Sequence, residues 1–155
     1  MGRIDEKLRK LGIVVPTPAV PVANYVGFVR TGNLVFTAGQ VTLKDGKFEH
    51  LGKVGGAISL EDAQKAARLC AINILAQLKA ACDGDLDRVR RIVKLVGFVN
   101  AVPEFTDHPK VINGASDLMV EVFGDRGKGA RSAVGMGSLP GNIAVEIEAI
   151  FQFKD

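Results

Sequence analysis

The sequence predicts an α+β domain in which a mixed, mainly antiparallel sheet carries two main helices on one face. Strand-like runs at 25–30, 34–38 and 143–153 bracket two segments of helical periodicity, and a further β run, 92–102, lies between those helices. The order of β-hairpin, helix, strand, helix, hairpin supplies helices for one sheet face only. The other face must be solvated or covered by further subunits. At 155 residues, 47% hydrophobic and 24% charged, the chain reads as a single domain over 1–155, with 1–22 as an N-terminal segment.

A charged stretch at 4–11 is read as helical, and prolines at 16, 18 and 21 then impose an extended path. Residues 25–30 pair with 34–38 across Thr31-Gly32-Asn33, a short hairpin with glycine in its turn. Gly39 ends that unit and either marks a plain bend or leaves room for another group to approach the backbone. Residues 44–58 are polar and glycine-rich, yet the run GKVGG at 52–56 lacks the Gly-Lys-Ser/Thr ending of a phosphate loop.

Ser59 and Asp62 form a near capping box at the start of the clearest helix. Its stripe of Ala63, Ala66, Ala67, Cys70, Ile74, Leu78 and Ala81 is rich in small side chains, so the helix can lie close to a sheet until Asp83-Gly84 stops it. Residues 92–102 carry apolar side chains at both parities, as a central strand covered on both sides would. Thr106 or Asp107 with Pro109 opens the next helix, which runs to Gly124 with Val111, Ile112, Ala115, Leu118, Met119 and Val122 on its apolar side. Asn113 lies near its first turn, as a satisfied or solvent-facing amide unless it serves a site.

Residues 130–134 and 143–153 flank a turn rich in Gly, Pro and Asn, which is hairpin chemistry. The second run alternates, with Ile143, Val145, Ile147, Ala149, Phe151 and Phe153 on one face and Ala144, Glu146, Glu148, Ile150 and Gln152 on the other. Arg131 stands among the small residues Ala130, Ser132 and Ala133. Its guanidinium either pairs with Glu146 or binds an anionic ligand, and residue types alone favour the pair. GMGSLPG at 135–141 only imitates a dinucleotide fingerprint, since a strand follows where a helix is required.

Several classes of function find little support. No run reaches the length of a membrane span and residues 1–12 lack a secretory apolar segment, so a cytoplasmic protein is expected. Cys70 and Cys82, twelve apart, match neither a disulfide framework nor a zinc spacing, and His50 and His108 are far apart and read as surface residues; no metal is expected. The net charge is only +3, and the cluster Arg88, Arg90, Arg91, Lys94 has no interleaved aromatics, so nucleic acid is an unfavoured partner.

NYVGFVRTGNLVFTAGQV near the start, VINGASDLMVEVFGD in the second helix and ARSAVGMGSLPGNIAVEIEAI at the end resemble the Rid family. These are the reactive intermediate deaminases, also known as YjgF-like or endoribonuclease L-PSP-like proteins. The likeness runs from about residue 24 onward in the same order. It implies a chorismate-mutase-like fold, a homotrimer with clefts between subunits, and cofactor-free hydrolysis of enamine/imine acids to 2-oxo acids and ammonia. It further implies that Arg131 grips the substrate carboxylate, Glu146 positions or activates water, Tyr25 and Asn113 shape the cleft, and Gly39 offers backbone contacts. This reverses the preference for a structural Arg131 pair. Ala133, Ala38 and Gly135 stand where many members have Cys, Ser and an acidic residue, and the loops 44–58 and 124–129 are longer than in the simplest members, as in a distinct subgroup. A carboxylate-binding regulatory trimer without turnover, and a ribonuclease, are the competing readings.

Overall fold

The computed structural model describes residues 1–154. Its elements are α1 (Arg3–Lys10), β1 (Phe28–Thr31), β2 (Leu34–Thr37), β3 (Leu43–Lys44), β4 (Lys47–Phe48), α2 (Leu60–Ala81), β5 (Val89–Asn100), α3 (His108–Phe123), β6 (Ala130–Met136) and β7 (Val145–Phe153). Five strands form one sheet in the order β1-β2-β7-β5-β6, antiparallel throughout except for the parallel β5–β6 pair. The helices α2 and α3 pack on one another and on one face of this sheet, giving the α+β architecture that the periodicities predict.

The expected C-terminal hairpin does not form. β5 lies between β6 and β7, so those two strands never pair. The reason is the crossover: β5, α3 and β6 make a βαβ unit in which the helix returns the chain to lay β6 parallel beside β5. The connection from β6 to β7 then passes the end of β5 through a 3-10 turn, Pro140–Asn142, with Gly141 and Asn142 at positive φ. Asn100, 1% exposed at the end of β5, fastens it by donating to Ile143 O at 3.1 Å and Asn142 Oδ1 at 3.2 Å.

Other boundaries follow the local chemistry. Ser59 Oγ accepts from Asp62 N at 3.1 Å and starts α2, while Asp83 and Gly84 adopt positive φ just past its end. β1 begins at Phe28 rather than at residue 25, which leaves Tyr25 in the segment before the strand. The small hairpin β3–β4 turns on Asp45-Gly46, both at positive φ, a signal that sequence reading passed over inside a glycine-rich stretch. Helix α1 is anchored by Asp87, whose carboxylate accepts from Arg3 N at 2.8 Å and Ile4 N at 2.9 Å.

Along β7, residues 145, 147, 149, 151 and 153 are buried under the helices and the alternate ones are half-buried. Register with β5 and β2 adds Val96, Phe98 and Phe36 to the second face, together with Glu146, Glu148 and Ile150. Within one chain the central strand β5 is therefore covered on one side only, whereas its two-parity apolar pattern predicts cover on both. Phe36 and Val134 on this face are each 40% exposed.

The depth at which α3 seats is set by glycines. A Cβ at Gly97 would run into the Ile112 side chain, and one at Gly114 into the Gln64 carbonyl oxygen of α2. Gly114→Ala is expected to push α2 and α3 apart and destabilise the chain by about 1–3 kcal/mol, measurable as a lower denaturant midpoint.

Candidate active site

Arg131 lies on the edge strand β6 opposite Leu95 of β5. Leu95 is 2% exposed beneath the helices, so Arg131 shares the helix-bearing face. Its guanidinium Nη1 donates to Asn113 Oδ1 at 2.7 Å and Ser116 Oγ at 3.2 Å, two acceptors one turn apart on α3. Both are neutral. Among the described residues no carboxylate pairs with Arg131, so its charge is oriented but not compensated. Ser116 escaped sequence reading; its signal is the i, i+3 spacing from Asn113 on the side of α3 that meets β6.

Glu146 lies on β7 opposite Phe98, on the uncovered face. The ion pair between Arg131 and Glu146, which residue types alone favour, is therefore absent within the chain: the two project from opposite faces, with β5 between their strands. Glu146 instead packs against Gly39, where a Cβ would fall 2.5 Å from Oε2. The room that glycine leaves at 39 is taken by this carboxylate. Half-burial, and secondarily the negative charge of Glu148, push the Glu146 carboxyl above the ordinary glutamate range. Among the described residues no hydrogen bond or ion pair holds it.

The five residues named from the sequence thus fall into separate places. Arg131 and Asn113 meet on the helix face at the β6 edge. Gly39 and Glu146 meet on the uncovered face. Tyr25, 55% exposed, precedes β1 at the opposite edge of the sheet. Both histidines are half-buried rather than on the open surface, and His108 packs edge-on against Phe105 with centroids 5.5 Å apart. Cys70 is fully buried with its Sγ 3.4 Å from Val145 O, and burial pushes its thiol pKa up, so it is inert as a nucleophile. Among the described residues no group of three or more His, Cys, Asp or Glu could hold a metal ion, and no helix is long and apolar enough to cross a membrane.

Comparison with known proteins gives extensive matches. A family model described as "YjgF/chorismate_mutase-like, putative endoribonuclease" matches residues 5–150. Protein TCP17 of Trypanosoma cruzi is 43% identical over 155 residues, covering 99% of this chain and 96% of that protein. The 2-iminobutanoate/2-iminopropanoate deaminase of Dermatophagoides farinae is 30% identical over 138 residues, covering 89% of this chain and 92% of that one. A crystal structure of an Agrobacterium tumefaciens protein of unknown function is 49% identical with a TM-score of 0.92, covering 97% of this chain and 92% of that one.

The raised Glu146 carboxyl carries a stability signature. Folding disfavours its charged form, so the folded state binds the proton more tightly than the unfolded chain. The cost is absent below the ordinary glutamate pKa, grows as pH rises towards the elevated value, and is complete above it. Glu146→Gln is expected to raise the melting temperature near pH 8, with the gain fading towards pH 4.

Proposed function

This chain belongs to the YjgF/chorismate mutase-like family, and on that premise we propose that it hydrolyses reactive 2-imino acids, such as 2-iminobutyrate and the imine tautomer of 2-aminoacrylate, to 2-oxo acids and ammonia. One observation carries the reading: an arginine fixed by two neutral acceptors on α3, with its charge left for an anion. The relative named an imine deaminase supports the choice of reaction.

The chemistry asks little of the protein. A protonated imine beside a carboxylate is already electrophilic at C2. Arg131 binds that carboxylate through two parallel N–H donors, and Asn113 and Ser116 hold the guanidinium plane. Glu146 takes a proton from water as its oxygen attacks C2. Glu146 returns that proton to the carbinolamine nitrogen; the C–N bond then breaks as ammonia leaves, and the carbonyl forms with the hydroxyl proton passing to the Glu146 carboxylate. A carboxylate kept half-dry and raised in pKa is a better base for this step than an exposed one. No cofactor enters the scheme.

Arg131 and Glu146 of one chain face opposite ways, so the proposal requires two protomers per site. Arg131 and Asn113 come from one; Glu146, Gly39 and Tyr25 come from its neighbour. The uncovered sheet face, with Phe36, Val96, Phe98 and Ile150 around the carboxylates, supports burial against other copies, and we assign a homotrimer with three such clefts. A trimer has a mass of about 50 kDa by light scattering, three times the 16.5 kDa chain, and dilution into monomers abolishes activity in step with dissociation. A fully active monomer contradicts the two-protomer site.

The direct test generates 2-aminoacrylate and 2-iminobutyrate in situ with a pyridoxal-phosphate enzyme and measures acceleration of their decay. Arg131→Lys keeps charge but loses the planar grip, and should cost on the order of 2–4 kcal/mol of transition-state stabilisation. Glu146→Gln should slow turnover roughly 10²–10⁴-fold while carboxylate affinity stays within about tenfold. Binding without turnover in the wild type would favour the regulatory reading.

A further inference from the structure

The glycine-rich segment 52–56 lies against the C-terminal end of β5 and carries a cation there. Gly52 N donates to Asn142 O and Val54 N to Asn100 O, each at 2.8 Å, so the backbone on either side of Lys53 is fixed. The half-buried lysine donates from its ammonium to Asn100 Oδ1 at 3.0 Å and to Gly137 O, just past β6. Both acceptors are neutral. An ammonium has three donors, and among the described residues the third has no partner and no carboxylate pairs with the group. Lys53 therefore repeats the arrangement at Arg131, a positive charge oriented by neutral oxygens and left uncompensated.

Strand register places this charge relative to Glu146. Alternation along β5 sets Asn100 on the same side as Phe98, and Phe98 lies opposite Glu146 on β7. Two residues of a strand span about 7 Å, so the acceptor that holds the ammonium is about that far along the sheet from the Glu146 position. The carboxylate and the ammonium share a side of the sheet without forming an ion pair, which leaves a gap of ligand size between them. An imino acid whose C2 meets the water on Glu146, with its C1 carboxylate on the neighbour's Arg131, has its side chain free to lie along that gap. A methyl or ethyl group offers the lysine nothing. A side chain that ends in a carboxylate takes the third hydrogen bond and balances the charge.

We propose that Lys53 binds a second carboxylate of the substrate, and that the protein selects 2-imino acids whose side chain ends in a carboxylate over those with an uncharged side chain of the same length. The inference rests on the roles given to Arg131 and Glu146, and it adds Lys53 to the half-site that Glu146, Gly39 and Tyr25 supply. Recognition is by charge and reach: the distal carboxylate accepts from the ammonium while the Asn100 and Gly137 oxygens hold it in place. Lys53 takes no part in the proton transfers.

The test compares the wild-type affinities of two stable product-type probes by calorimetry, 2-oxoglutarate and its 5-methyl ester, which keeps the length and the C1 acid but loses the distal charge. The diacid should bind at least about tenfold tighter, the size of one charge-assisted hydrogen bond. Lys53→Met should bring the ratio near one by weakening the diacid and leaving the ester unchanged, and Lys53→Arg should restore part of the preference. Amide NMR of the wild type adds a direct readout: the Lys53 and Val54 signals should move with the diacid and stay still with the ester. Equal affinities in the wild type, no binding of either probe, unmoved amide signals, or an unchanged ratio in folded Lys53→Met overturns the assignment. Should Lys53→Met fail to fold, the wild-type ratio and the amide shifts decide alone. Selective diacid binding without turnover of any imine sinks the deaminase reading and leaves the lysine subsite. Turnover of 2-iminobutyrate with equal diacid and ester affinities does the reverse.

Discussion

The register of β5 between β6 and β7 is the constraint on which the rest depends. It sets Leu95 beside Arg131 and Phe98 beside Glu146. Leu95 points into the helices and Phe98 away from them, so the two charged groups are assigned to opposite faces at once. A slip of one residue on either side would turn an entire strand over, burying Glu146 under α2 or exposing Leu95. The core forbids it, since Val145, Ile147, Phe151 and Phe153 are at most 1% exposed on the helix side. Placement of the site is thus a by-product of core packing.

Close backbone approach does the rest of the positioning. Gly97 admits Ile112, Gly114 lets α3 touch the α2 backbone at Gln64, and Gly127 seats against Met119 O. None of these glycines needs an unusual φ; each is small because another atom occupies the space of its Cβ. Together they fix the height of α3 over β6, which sets whether Asn113 and Ser116 reach the guanidinium. Hydrogen bonds of 2.7 and 3.2 Å tolerate little change in that height.

What could be read from the sequence was local. The alternation of β7, the Ser59 cap, the α2 stripe and the Pro109 helix start are short-range patterns, and the structure repeats them. The C-terminal hairpin failed because proximity along the chain argues for pairing, whereas the α3 crossover supplies a non-local partner that no turn residue announces. The same limit governs the site. Arg131 and Glu146 were identifiable as residue types, but their opposition across the sheet follows from strand order, which periodicity does not encode. Glu146 beneath Gly39 was half-legible: the glycine signalled a close approach, and its partner lay over a hundred residues away.

Glu146 and Glu148 also show where the fold departs from its own economy. Half-burial imposes a desolvation penalty on Glu146, repulsion from the carboxylate two residues along the strand adds to it, and among the described residues no cation offsets either. A glutamine at 146 would fill the same space without the charge. A lone chain therefore bears a cost for which its own packing gives no return. Such costs collect where chemistry needs a basic, poorly solvated group. Arg131 is the complementary case, a cation held by neutral acceptors with no counter-charge among the described residues. Each half of the chain leaves uncompensated what the other half of a neighbouring copy would require, and an anionic substrate and a water are the groups that would complete the balance.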